Sequence, residues 1–366
     1  MKFTIQREAL LKPLQAVNGV VERRQTLPIL SNVLVDVSPA GIALTATDLE
    51  VEMKVFTSLD SSESGRTTLP ARKFMDICKA LPEGAQLDIS MDKDRAVIKS
   101  DKSRFVLSTL PAAEFPNVEE MRPVLEFVIP QKALKRLIER TQFAMANQDV
   151  RYYLNGLLLE VDANELRAVA TDGHRLAYCA IRNSIKIDEN HSVIVPRKGI
   201  SELQRLLLDI DLPVQVQIGT NHIRVITNEW KFTSKLIDGR FPDYQRVIPQ
   251  NPDKLVVAAR DTLRHAVQRT SILTNEKYRS IRLQLEPGTL KILAHNPEQE
   301  EAEEEISVDY QGSGLEIGFN SIYILDALAA ITDDTVELRL SDANSCCLIQ
   351  AQGDMHCKYV VMPMRL

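Results

Sequence analysis

A chain of 366 residues with 44% apolar and 26% charged side chains has the balance of a globular protein with room for two or three domains. No apolar stretch follows a basic start and no run reaches membrane-spanning length, which excludes secreted and membrane readings and predicts a cytoplasmic protein. The net charge of −6 argues against simple adhesion to nucleic acid, and the five cysteines carry no CxxC pair, so neither a disulfide framework nor a zinc site is expected.

The first element is an amphipathic helix, with Leu10, Leu14, Val17 and Val21 at steps of 4, 3 and 4. Two alternating strands follow over Ile29 to Asp48, turned at Pro39-Ala40-Gly41. A second helix opens at Pro70-Ala71-Arg72-Lys73, and a closing hairpin ends at Phe115-Pro116. The plan then repeats. A helix carries Leu134, Ile138, Thr141 and Met145, two strands span Leu154 to Asp172, and a helix opens at Pro196-Arg197-Lys198 before Phe241-Pro242. A third pass has Leu263, Val267, Thr270 and Thr274, strands over Ile281 to Asn296, a helix led by Phe319-Asn320, and a C-terminal strand at Val360 to Pro363.

The strand-end residues Asp48, Asp172 and Asn296 are spaced by 124 and 124, so one α+β unit is written three times. Proline-bearing linkers around 116–123 and 249–252 divide it into 1–122, 123–250 and 251–366. Each unit reads β-α-β-β-β-α-β-β-β, antiparallel because its turns are short.

Charge is segregated. Residues 1–24, 131–146 and 254–270 each carry +3, residues 71–80 and 197–208 each carry +2, and only 320–331 is negative, at −1. The helices hold +12, the remainder −18 with its sharpest acidic run at Glu298 to Glu305. Cationic helices without a zinc finger, helix-turn-helix or ribonucleoprotein motif predict sequence-independent, salt-dependent contact with a polyanion.

Catalytic motifs are absent: there is no GxxxxGK[ST], GxGxxG or HExxH. The best catalytic candidate, Thr171-Asp172-Gly173-His174-Arg175, places an Asp near a His but supplies no nucleophile, and a strand end followed by a glycine turn, with Arg175 in a surface salt bridge, is the favoured account of it. No catalytic residue, metal or cofactor is expected. A cryptic hydrolase built on His174 and a binder of open DNA stay as alternatives. The apolar tail with Met362 and Met364 reads as a last strand or as one border of an adaptable peptide groove.

Longer strings carry a resemblance. Thr26-Leu27-Pro28-Ile29-Leu30, Gln148 to Gly156, Ala170 to Leu176, Asp238 to Tyr244, Asn296 to Glu300 and Tyr359 to Leu366 together resemble the β subunits of bacterial DNA polymerase III, over the whole chain. That resemblance implies three tandem clamp domains, each with two helices on antiparallel sheets, in a head-to-tail homodimeric ring. It implies a non-catalytic processivity factor that encircles duplex DNA, with contacts from Arg24, Arg72, Gln148, Tyr152 and Tyr153. It also implies a groove for short apolar motifs of the polymerase α subunit, clamp loader, translesion polymerases, and mismatch-repair and ligase-type proteins. The matching positions are Leu154, Thr171, Gly173, His174, Arg175 and Leu176 from the middle unit, then Pro242, Arg246 and Val247, and finally Asn320, Tyr323, Val360, Met362, Pro363 and Met364. The dimer seam would set Lys73, Arg104, Phe105 and Leu107 of one chain against Ile272, Leu273, Glu300 and Glu304 of the other.

Overall fold

The structure is a computed structural model that describes all residues except 22–26, 60–61, 117–120, 183–184, 186, 188 and 366. Arg24, a candidate DNA contact, therefore lies outside the described residues, as do part of the first linker and Leu366. Six helices are described: α1 (Arg7–Asn18), α2 (Ala71–Ala80), α3 (Gln131–Glu139), α4 (Arg197–Leu206), α5 (Arg260–Thr270) and α6 (Ser321–Ala330).

The three helical stripes predicted from spacing are all buried. Leu10, Leu14 and Val17 are fully enclosed and Val21 is nearly so; the same holds for Leu134, Ile138, Thr141 and Met145, and for Leu263, Val267, Thr270 and Thr274. The polar members fit because their hydroxyls are satisfied inside the helix. Thr141 Oγ1 donates to the Leu137 carbonyl at 2.6 Å and Thr270 Oγ1 to that of Ala266 at 2.8 Å. The helices are shorter than the stripes. α3 ends at Glu139 and the chain continues as a 3-10 turn, Gln142–Ala144; α5 is continued by Ser271–Leu273 in the same way.

One strand per repeat was missed. Between the paired helices run four main strands, not three, the last being Gly65–Pro70, His191–Pro196 and Leu315–Asn320. Each ends directly on a helix, so Pro70 and Pro196 close a strand while also preceding a helix. Sequence reasoning took only the second signal, because proline marks both a strand end and a helix start. With the extra strand each repeat becomes β-α-β-β-β written twice. Hydrogen bonds follow that division. The first N–H of α1, α3 and α5 goes to the carbonyl of Ala85, Leu212 and Asp334, while that of α4 and α6 goes to Asn155 and Arg279. In five of the helices the first N–H is thus satisfied by a neighbouring loop; α1, α2 and α5 carry no side-chain cap, whereas on α6 Asn320 Oδ1 accepts from Ile322 N at 2.9 Å.

By spatial contacts the chain forms two compact units. One comprises Met1–Lys132 with Ser201–Leu236, the other Ala133–Ile200 with Ile237–Leu366. Within the first, a five-stranded sheet ends at Ser103–Ser108, and an eight-stranded sheet joins Trp230–Lys235 to Val51–Thr57. Within the second, a four-stranded sheet ends at the acidic Glu301–Ser307, and an eight-stranded sheet joins Arg175–Arg182 to Cys357–Val361. Each large sheet therefore crosses a repeat boundary, which binds successive repeats through backbone hydrogen bonds.

Cysteine pairing departs from expectation. Cys179 and Cys357 stand opposite each other on those adjacent strands, buried, and their sulfurs are linked. The register of two strands 178 residues apart brings them together, which no local spacing could reveal. Cys78 and Cys347 are buried thiols and Cys346 is half-buried; burial pushes the Cys78 thiol up to about 12, which keeps it protonated and inert.

Candidate functional site

The hairpin turn at Thr171–Arg175 organises the best-formed site in the second unit. Thr171 Oγ1 donates to the Arg175 carbonyl at 2.6 Å and accepts from Gly173 N at 3.1 Å. Asp172 Oδ1 accepts from His174 N and Arg175 N at 2.9 and 3.0 Å, and its Oδ2 accepts from Arg175 Nε at 3.1 Å. Asp172 is thereby committed to the turn and to Arg175, which leaves it poorly placed to activate the exposed His174. That geometry disfavours the hydrolase alternative.

Arg175 is the centre of a compact network. Beyond Asp172, its guanidinium donates to the Phe143 carbonyl at 2.7 Å and to Asp326 of α6, and it stacks between Phe143 and Tyr323 at 5.4 and 4.5 Å. Its side chain is only 12% exposed, so it is no surface ion pair. Arginine suits this place because its planar fork can donate in several directions while both faces stack on rings.

The C-terminal tail runs beside the turn. Met362 N donates to the His174 carbonyl at 2.9 Å and Met364 N to that of Gly318 at 2.8 Å. A cavity of about 180 Å³ opens there, lined by Arg151, Tyr153, Leu154, Thr171, Gly173, Arg175, Leu176, Pro242, Tyr244, Val247, Val360 and Met362. Its floor belongs to a buried cluster that includes Leu158, Val169, Leu176, Ile194, Tyr244 and Val360. Beneath it Tyr244 Oη donates to Glu160 at 2.6 Å; burial and that carboxylate raise the phenol's pKa above its ordinary range. At the rim Arg151 makes a two-pronged contact with Asp149 at 3.0 and 2.9 Å and reaches the Asp172 carbonyl at 3.3 Å. Hydrogen bonds from Arg151 hold the Asp149 carboxyl down at about 2.

Nine expected groove residues meet at this cavity: Leu154, Thr171, Gly173, Arg175, Leu176, Pro242, Val247, Val360 and Met362. Six do not line it. His174 and Arg246 are exposed, Arg246 against Asp243 at 2.8 Å; Asn320 caps α6, Tyr323 backs Arg175, and Pro363 and Met364 continue along the tail. Sequence reasoning missed Arg151 and Tyr244, although both lie in strings already singled out, and the Asp149-x-Arg151 spacing was the available signal. Tyr153, a candidate DNA contact, lines the cavity, half-buried and edge-on to Tyr152 at 5.8 Å. Tyr152 stays 57% exposed, and Gln148 and Arg72 are exposed as well.

The charge count needs one correction. Several helix cations are spent internally: Arg7 on the Cys78 carbonyl, Arg197 on those of Met145 and Ala146, Arg260 on that of Ile331, and Arg269 on both oxygens of Glu304. A carbonyl contact leaves the charge in place, so of these only the Arg269–Glu304 pair weakens the field outside, while the other three side chains are held and less free to reach a phosphate. Of the expected seam residues, Arg104 is exposed, Phe105 half-buried and Leu107 buried on the terminal strand Ser103–Ser108, and Lys73 is exposed on α2. Ile272 is 74% exposed, Leu273 half-buried and Glu300 exposed, while Glu304 is already held by Arg269. Among the described residues no His, Cys, Asp or Glu cluster could hold a metal and no helix is long and apolar enough to cross a membrane.

Comparison with known proteins agrees along the whole length. Residues 1–119, 128–243 and 245–365 match, in order, the N-terminal, central and C-terminal domains of the DNA polymerase III beta subunit. The chain is 61% identical to the beta sliding clamp of Pseudomonas putida and 53% identical to that of Escherichia coli K12, each over the full length of both chains. A sliding clamp from Pseudomonas aeruginosa bound to griselimycin superposes with a TM-score of 0.98 at 58% identity, and the Caulobacter crescentus polymerase III beta structure with 0.92 at 40%, both covering all of each chain. Three repeats, two large sheets that each join successive repeats, and full-length matches lead to one assignment: the chain belongs to the DNA polymerase III beta subunit family, the β sliding clamps.

Proposed function

We propose that two copies of this chain close into a head-to-tail ring that encircles duplex DNA in the cytoplasm and tethers the replicative polymerase. The protein is a processivity subunit and not an enzyme. The observation that carries the topological reading is the combination of exposed helix cations such as Arg72 with a net charge of −6. A net acidic protein with scattered phosphate contacts binds open DNA weakly, so enclosure, and not affinity, holds it in place. Arg24, Arg72, Gln148 and Tyr152 would contact phosphates without reading bases.

Ring closure would use the two terminal strands, Ser103–Ser108 of one copy and the Glu301–Ser307 side of the other, with Arg104 and Lys73 drawn to the exposed glutamates and Phe105 and Leu107 set against Ile272 and Leu273. An apolar peptide motif from the polymerase α subunit, clamp loader, translesion polymerases or repair proteins would insert its side chains over Leu176, Val247, Val360 and Met362. Griselimycin on the P. aeruginosa clamp shows that a relative's surface accepts a ligand, and we place the peptide site of this chain at the cavity beside Gly173.

The test is retention on nicked circular DNA after loading. Linearising the circle is expected to release the protein by sliding off the ends, while protein on intact circles survives high salt. Equal retention on linear and circular DNA would reject the topological mechanism.

A further inference from the structure

The two strands that join the second repeat to the third carry a pair of sulfurs as well as groove residues. Ala180 N donates to the His356 carbonyl at 2.8 Å. The next pair along, Cys179 and Cys357, therefore occupies a non-hydrogen-bonded site of the ladder, where opposed side chains stand closest. The two sulfurs are linked there, and both residues are buried, at 0% and 2% exposure. They lie on the sheet face opposite Leu176 and Val360, and so apart from the groove.

A buried link that serves only as a staple needs no charged neighbour, yet one is present. Arg140, just beyond α3, donates from Nη1 to Cys357 Sγ at 3.6 Å and from Nη2 to Thr332 Oγ1 at 2.9 Å. A linked sulfur is a weak, neutral acceptor, whereas a thiolate gains strongly from a guanidinium. The contact thus favours the open, reduced form at Cys357. Among the described residues no arginine reaches the sulfur of another cysteine; Arg7 meets the carbonyl of Cys78. Cys357 is also the better placed for an outside reagent. It is the first residue of its strand and follows the turn 352–356, where Met355 is 65% exposed. Fraying of that strand end uncovers Cys357, while Cys179 lies within its strand, Arg175–Arg182.

We propose that Cys179 and Cys357 are a reversible thiol–disulfide exchange site, in which Cys357 reacts first with a small-molecule disulfide such as glutathione disulfide and Arg140 is the positioning residue of its sulfur. The Cys357 thiolate attacks one sulfur of the oxidant, whose S–S bond breaks and expels one glutathione thiolate. The Cys179 thiolate then attacks Cys357 Sγ in the mixed disulfide and expels the second. Two protein thiols lose two protons and two electrons, and one glutathione disulfide is reduced to two thiols; reduction by glutathione retraces the path. Closed, the link ties the second repeat to the third covalently as well as through the ladder.

The test holds the full chain in glutathione buffers from fully reduced to fully oxidised, quenches with acid, alkylates free thiols and reads each cysteine by mass spectrometry. The pair is expected to pass from two alkylated thiols to one link and back. A pair that remains two thiols in glutathione disulfide alone, or stays linked in excess dithiothreitol under native conditions, overturns the proposal. Two variants assign the order of attack: Cys179→Ser is expected to accumulate glutathione on Cys357, and Cys357→Ser to leave Cys179 unmodified. The reverse pattern overturns Cys357 as the first attacker. Arg140→Leu is expected to slow linking by roughly tenfold at an unchanged melting temperature, with Arg140→Lys restoring most of the rate. A parental rate in Arg140→Leu, or a loss that lysine does not restore, overturns the part given to the arginine. The parent chain alone decides reversibility even where a buried serine prevents folding.

Discussion

Arg175 is the residue on which the groove's supports converge. It joins Asp172 in its own turn, the Phe143 carbonyl and Asp326 on α6, so the hairpin turn and the last helix are pinned by one side chain. Arg151 plays a related part at the rim, where its grip on Asp149 is exposed and its pKa effect is therefore local. The folded Asp149 carboxyl sits at about 2, below the unfolded value of about 3.9. Its stabilising contribution is thus fully present above that unfolded value and is lost as pH falls through the folded one. NMR titration of Asp149 is expected to give a midpoint near 2 in the parent and a return toward the ordinary carboxylate range in Arg151→Ala. A midpoint that does not move on removing Arg151 would show that the backbone N–H of residue 151, and not the guanidinium, sets it.

At the scale of elements, terminal strands are the exposed hydrogen-bonding edges of a sheet and need management. Ser103–Ser108 presents Arg104, and Glu301–Ser307 presents Glu301, Glu303 and Glu305 on its outer face, with Glu304 turned toward Arg269. Like charges on one edge discourage self-pairing and favour a partner edge of opposite sign. Arg104→Glu is therefore expected to weaken the dimer by roughly tenfold at low ionic strength, and less at high salt because screening shortens the reach of surface charge. Sedimentation equilibrium at two salt concentrations measures this; an unchanged dimer at low salt would remove Arg104 from the seam.

For the whole molecule, the decisive quantity is how few phosphate contacts an acidic protein makes. Arg7, Arg197 and Arg260 are held on backbone carbonyls and Arg269 on Glu304, while Arg72 on α2 and Arg136 on α3 are exposed, so in the proposed ring these two are side chains free to reach a phosphate. Each lost phosphate contact lowers the slope of log K against log salt by about 1, so Arg72→Ala with Arg136→Ala is expected to flatten it by about 2 on duplex DNA of any sequence. A slope equal to the parent's would mean that these side chains do not meet phosphate.

What the sequence determined by itself is what periodicity and composition encode. Three buried helical stripes, the α+β class, the threefold repeat and the absence of nucleotide-binding or protease motifs were all legible, because burial of apolar faces imposes spacings of 3.6 and 2 that survive in one dimension. The groove's residues were named through family resemblance; their spacing alone left Thr171–Arg175 as an ordinary turn. Tertiary structure decided the rest. It showed that an extra strand leading into the second helix, ended by proline in two repeats and by Asn320 in the third, doubles each repeat, that Cys179 meets Cys357, that Tyr153 lines the cavity, and that Arg175 is enclosed and not superficial. These facts depend on strand register and on side chains far apart in the chain, such as Arg175 and Asp326, 151 residues apart. Long-range packing sets them, and no local pattern records it.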